Sequence, residues 1–142
     1  MTKYKTIVVD DHKIFQNYLC SILNQIDNIE LFAQVANGLE LLNVISSKNT
    51  DLIFMEINCS MINSIVIVKK LLKKYPHIKI IATSLFEEDE KNHYNTLLNL
   101  GVQGFILKQT GKNDIEKAIF TVMNGEKYYS KNYHFAPLTT RT

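Results

Sequence analysis

With 142 residues, 46% of them hydrophobic and 21% charged, the chain has the size and balance of one globular domain with a single sizeable core, and two full domains do not fit. A net charge of +2 is too weak a field to argue for nucleic acid or an anionic membrane as partner, and no apolar run approaches the roughly 20 residues of a membrane-spanning helix. Cys20 and Cys59 lie outside any CxxC or Cys/His ligand spacing, which argues against a disulfide framework or structural zinc, and the charged start interrupted by Asp10 and Asp11 is foreign to a signal peptide, so a cytoplasmic location without membrane contact is expected.

Short apolar runs alternate with longer segments of helical period. Ile7-Val8-Val9 reads as a first strand, and Phe15, Leu19, Ile22, Leu23 and Ile26 then recur at spacings of three and four, the pattern of an amphipathic helix. Glu30 to Ala36 predicts a second strand closed by Asn37-Gly38, with Leu39, Leu42, Val44 and Ile45 in a short helix ending near Ser46-Ser47. Leu52 to Met55 is the third strand, and Ile65, Val68, Leu71 and Leu72 line a helix that must stop before Pro76. Ile78 to Ala82 makes the fourth strand, Asp89 to Leu100 a helix capped by Gly101, Gly104 to Leu107 the fifth strand, and Asn113 to Met123 a helix capped by Gly125. The strands are nearly unbroken apolar runs, so both sheet faces are covered, and the expected class is a doubly wound α/β fold of five parallel strands and five helices. From Tyr128 onward no helical period remains, so residues 1–127 are read as the domain and 128–142 as a tail or the start of a linker.

In open parallel sheets, function collects in the crevice outside the carboxyl ends of the strands. There the sequence places Asp10 and Asp11 after strand 1, Glu56 at the end of strand 3, Thr83-Ser84 after strand 4 and Lys108 after strand 5. Any one of these carboxylates alone fits a helix-capping role. Three acids in one crevice raise one another's pKa or demand a cation, and a hard divalent ion or the Lys108 ammonium answers that demand.

The runs Ile7-Val8-Val9-Asp10-Asp11-His12, Ala36-Asn37-Gly38-Leu39-Glu40, Asp51 to Ile57, Ala82-Thr83-Ser84 and Gly104-Phe105-Ile106-Leu107-Lys108 closely resemble bacterial response-regulator receiver domains. The Asp10-Asp11-His12 start and the Asn124 to Ser130 end look most like the NarL/LuxR-type subfamily, whose receiver precedes a helix-turn-helix. The resemblance implies the flavodoxin-like receiver fold with strand order 2-1-3-4-5. It implies a magnesium site at Asp10, Asp11, position 56 and the carbonyl of Asn58, phosphoryl contacts from Ser84 and Lys108, and a switching aromatic at Phe105. Partners implied are a sensor histidine kinase and a second copy through helix 4, strand 5 and helix 5; lacking the helix-turn-helix, this chain alone is not expected to bind DNA.

At the phospho-acceptor position the family carries an aspartate, and this chain carries Glu56. One extra methylene moves the attacking oxygen by roughly 1.5 Å, about one carbon–carbon bond, and a misplacement near 1 Å costs about a hundredfold in rate. The loop Cys59 to Ser64 also lacks the family's Met-Pro and closing glycine. The expected function is therefore an atypical, non-enzymatic receiver that is not normally phosphorylated and acts through protein contacts. Glu56 is expected either to imitate part of an acyl phosphate or to hold a constitutive ion pair with Lys108. Two alternatives stand beside it: the truncated receiver part of a LuxR-type DNA-binding regulator, and a magnesium-dependent phosphohydrolase. The latter is disfavoured because haloacid-dehalogenase-like enzymes carry Asp-x-Asp where this chain has adjacent acids followed by His12.

The remaining charged and aromatic groups have plainer readings. Lys69, Lys70, Lys73 and Lys74 read as a solvated helix face, and Glu87 to Glu90 as a dipole-favoured helix start. Tyr128, Tyr129, Tyr133 and Phe135 either fold back or meet another chain. Among the four histidines, His12 alone stands beside an acid, at the rim of the crevice.

Overall fold

Alternation on the buried strands sorts the core into two halves. Ile7, Val9, Ile53, Met55, Ile80, Ala82 and Phe105 point to one side of a sheet, whereas Val8, Leu52, Phe54, Ile81 and Ile106 point to the other. A strand buried on both faces must read as a continuous apolar run, because its period of two places alternate residues in different cores.

The computed structural model describes residues 3–45, 50–57, 61–85 and 96–129. In chain order the elements are β1 (Tyr4–Val9), α1 (Lys13–Leu23), β2 (Ile29–Val35), α2 (Gly38–Val44), β3 (Leu52–Glu56), α3 (Met61–Lys74), β4 (Lys79–Ser84), helical residues 96–100 as the described part of α4, β5 (Gly104–Leu107), α5 (Lys112–Met123) and β6 (Tyr128–Tyr129). The strands run β2-β1-β3-β4-β5-β6, all pairs parallel. The order of the first five is the expected one, and the fold is the flavodoxin-like receiver fold.

Helices α1 and α5 cover one face, through Leu19, Leu23, Ile115, Ala118, Ile119 and Val122; α2, α3 and α4 cover the other through Leu41, Ile67, Val68, Leu71 and Leu97. Burial of each such Leu, Ile or Val side chain contributes about 1.5–3 kcal/mol. The start of α2 is held by reciprocal side-chain bonds: Asn37 Oδ1 accepts from the Glu40 amide at 3.0 Å, an open donor of the first helical turn, and Glu40 Oε1 accepts from the Ala36 amide just before the N-cap at 2.9 Å.

The sixth strand corrects the sequence reading, which put Tyr128 and Tyr129 in the tail. Gly125 turns the chain at φ +91°, the Tyr128 amide donates to the Gln103 carbonyl at 3.0 Å, and Tyr128 and Tyr129 pair with Gly104 and Phe105. Two residues are too short a run to show any period, so only the partner strand identifies them. The sheet order thus continues past residue 127, and the tail residues 130–142 lie outside the described residues, as do Ser46-Ser47 and most of the segment expected to form the fourth helix, including Glu87 to Glu90.

Candidate functional site: an acidic crevice closed by Lys108

The first acid is placed by the end of β1. The Asp10 amide continues the ladder by donating to the Val35 carbonyl at 3.0 Å, which leaves its side chain just beyond the sheet, 1% exposed. Asp10 Oδ1 accepts from the His12 amide at 2.8 Å, a local turn that starts α1 with His12 at the N-cap. Asp11, between them, is half exposed.

Gln16 holds this corner in place. Its side-chain amide donates to the carbonyls of Asp10 at 2.9 Å and Val35 at 3.1 Å, tying α1 to the ends of β1 and β2 from a buried position. Sequence reasoning passed over Gln16; the available signal was a polar residue directly beside Phe15 on the apolar stripe of α1.

Glu56 is the last residue of β3, in register with Thr83 of β4, and its side chain is buried. Lys108 follows β5, anchored by its amide donating to the Ser84 carbonyl at 2.8 Å. Its ammonium reaches Asp10 Oδ2 at 3.0 Å and Oδ1 at 3.2 Å, pairs with Glu56 Oε1, and donates to His12 Nδ1 at 2.9 Å. The Phe15 ring lies 5.0 Å from the ammonium and adds a cation–π contact.

Two buried carboxylates and one imidazole thus meet one ammonium. Burial pushes the Glu56 carboxyl above the usual carboxylate range; Lys108 draws it back by hydrogen bond and charge, Asp10 pushes it further up, and His12 lowers it. Oxygen atoms of Asp10, Asp11 and Glu56 and a ring nitrogen of His12 all lie within 4.8 Å of one another. The surplus negative charge and hard oxygen donors suit a divalent cation such as Mg2+, so the residues fit the ion that the resemblance implies; Asn58, the expected carbonyl ligand, lies outside the described residues.

Ser84 ends β4 with its side chain buried, and Phe105 is fully buried in the neighbouring β5. The Phe105 ring stacks on Tyr129 of β6 at 5.8 Å and 18°, a partnership sequence reasoning missed because β6 itself was missed. The structure therefore brings Asp10, Asp11, His12, Glu56 and Lys108 together, with Ser84 at the adjoining strand end and Phe105 facing the core.

Beside the crevice, a shallow apolar cavity of about 450 Å³ is lined by Ile14, Phe15, Tyr18 and Leu85, with His12 and Lys108 at its inner edge. Tyr18 is held there by donating to the Thr110 carbonyl at 3.0 Å. Lys69, Lys70, Lys73 and Lys74 are exposed on α3, away from the crevice. Cys20 is buried on the inner face of α1, and burial pushes its thiol up to about 11, an unreactive core residue. Among the described residues no helix is long and apolar enough to cross a membrane.

Comparison with known proteins gives one family match, two relatives and one solved structure of the same fold. The sequence profile of the response regulator receiver domain matches residues 6–120. The chain is 29% identical over 126 residues to the response regulator GacA of Pseudomonas syringae pv. syringae (strain B728a), covering 89% of this chain and 58% of that protein. It is 25% identical over 126 residues to the transcriptional regulatory protein DegU of Brevibacillus brevis, covering 89% and 52%. The chain spans about half the length of the curated relatives it matches. The isolated REC domain of RcsB from Salmonella enterica serovar Typhimurium, in its apo form, shares the fold with a TM-score of 0.78 at 22% identity, covering 91% of this chain and 94% of that one.

Proposed function

Because the chain belongs to the response regulator receiver domain family, we propose that it is an atypical receiver of two-component signalling, in which Glu56 stands at the phospho-acceptor position and signalling runs through protein contacts rather than routine phosphorylation. The observation that carries this reading is the position of Glu56: last residue of β3, buried, and ion-paired with the Lys108 ammonium that also binds Asp10. Transfer of a phosphoryl group needs a carboxylate oxygen in line with the leaving group. Here the longer arm is already bound to Lys108, so the oxygen must give up its ion pair and reach from a displaced origin.

That arrangement supports a constitutive ion pair rather than mimicry of an acyl phosphate. Lys108 bridges the ends of β1, β3 and β5 and offsets part of the charge of two buried carboxylates, which favours one fixed conformation. Asp10, Asp11 and Glu56 would hold Mg2+, which supplies positive charge against the oxygens of a phosphoryl group; this chain's own part is to keep the acids aligned through Gln16 and to present Lys108. A sensor histidine kinase is the family's partner class, and pairing of two copies through α4, β5 and α5 is a further part of the proposal.

A second reading is favoured by coverage: the chain matches 52–58% of its first relatives, one of them a transcriptional regulatory protein, which supports a receiver portion of a longer DNA-binding regulator. Incubation with acetyl phosphate and Mg2+ followed by intact mass tests the main reading. The expected result is no phosphoryl gain in the wild type and a gain in Glu56→Asp. A wild-type gain that disappears in Glu56→Gln overturns it.

A further inference from the structure

We propose that β6 is a clip whose closure depends on the crevice: the stack of Tyr129 on Phe105 fastens the chain to β5 where residues 130–142 leave the sheet, and loosening the Lys108 ion pairs opens it. This deepens the receiver reading and rests on it for what acts at the crevice. The test uses no phosphoryl donor, so its failure is distinct from failure of that reading.

The clip is small and fastened at few points. β6 is two residues long, lies at the edge of the sheet and pairs with β5 alone. The Tyr128 amide donates to the Gln103 carbonyl at 3.0 Å. Tyr128 packs toward the core under α1 and α5, and Tyr129 toward the opposite core. There the Tyr129 ring stacks on the fully buried Phe105 at 5.8 Å and 18°. A ladder this short at a sheet edge opens at a fraction of the cost of unfolding the domain, which makes it a two-state element within the folded molecule.

The strand that carries the clip also carries the ammonium. β5 is four residues long; its first two, Gly104 and Phe105, pair with β6, and Lys108 directly follows its last. By pairing with Asp10 and Glu56, the Lys108 side chain pins the carboxyl end of β5 toward β1 and β3. Helix α5 makes a second connection from Lys108 to β6. It begins at Lys112, and its last turn rests on β5 so closely that a Cβ on Gly104 would stand 3.2 Å from Val122 Cγ2. Gly125 then turns the chain into β6, its amide donating to the Val122 carbonyl at 3.0 Å. Slackening Lys108 therefore reaches β6 both along β5 and through α5. Any group that draws Lys108 from these acids acts in the same way, which gives the crevice a hold on the departing chain.

Amide hydrogen exchange of the full chain, followed by NMR, tests the proposal with Glu56→Gln, which removes one carboxylate charge facing Lys108 and keeps the side-chain length. The Tyr128 amide should exchange faster by about twofold or more, the lower end of the coupling between residues in one network. The Tyr4 amide, bonded to the Asn28 carbonyl at the far side of the sheet, should keep its rate. Tyr129→Phe retains the ring and should leave Tyr128 exchange as in the wild type, whereas Tyr129→Leu should accelerate it and abolish its response to Glu56→Gln. Lys108→Gln serves as a second crevice variant. Tyr128 exchange that is unchanged in both crevice variants overturns the proposal. So does equal acceleration at Tyr4 and Tyr128, which reports loss of global stability, and so does a response to Glu56→Gln that survives in Tyr129→Leu.

Discussion

The Lys108 ammonium sits 3.0 Å from Asp10 Oδ2, a contact between residues 98 positions apart. It ties the carboxyl end of β1 to that of β5 across β3 and β4, and the last residue of β3, Glu56, shares the ammonium.

Lys108→Met removes the only ammonium facing two buried carboxylates among the described residues. Breaking a buried pair by deleting one partner costs about 3–5 kcal/mol. The variant should melt well below the wild type at neutral pH, and Mg2+ should recover part of the loss by replacing the missing charge. Thermal melts with and without Mg2+ check this; equal melting temperatures without metal would show that the pair carries no weight.

Glu56 holds its proton more tightly in the fold than in the unfolded chain, because burial outweighs the pull of Lys108. A raised carboxyl pKa means the folded state binds more protons between the unfolded value near 4.5 and the higher folded value. Stability from this group is therefore present below pH 4.5 and is lost as pH rises through that window. Glu56→Gln should flatten this part of the stability profile, as read from urea midpoints across acid to neutral pH.

Gln16→Leu keeps the volume of the side chain but deletes both of its hydrogen bonds. The Asp10 and Val35 carbonyls each retain a lone pair facing an apolar group, at a cost of about 1–3 kcal/mol. Because Gln16 anchors α1 to the corner that holds Asp10, divalent-cation affinity should fall along with stability; titration calorimetry on the folded variant separates the two effects.

Tyr129→Ala removes the ring stacked on Phe105. The stacking itself is worth about 0.5–1.5 kcal/mol beyond area burial, and the ladder that it supports is only two residues long. Hydrogen exchange at the Tyr128 amide, bonded to Gln103 in the fold, should accelerate by about tenfold, the equivalent of about 1.4 kcal/mol. Unchanged exchange would show that β6 is held by its backbone alone.

Much of the architecture was legible from local pattern. Ile7 to Val9, Leu52 to Met55 and Gly104 to Leu107 are continuous apolar runs because each is covered on both faces, and that property survives in any single strand's sequence. β6 was not legible, since Tyr128 and Tyr129 become a strand only when Gly104 and Phe105 offer them a ladder.

The site divides along the same line. Its members Asp10, Asp11, Glu56, Ser84 and Lys108 were readable as strand-end residues, because strand ends are set by runs a few residues long. Gln16 was not, since its partners are carbonyls that have no identity in a sequence. Neither was the role of His12, whose ring nitrogen meets Glu56 and Lys108 only after β1, β3, β4 and β5 lie side by side. Which groups gather at the crevice follows from chain-local periodicity; which of them touch depends on distances of about 3 Å between side chains brought from far along the chain, and such distances exist only once the sheet has formed.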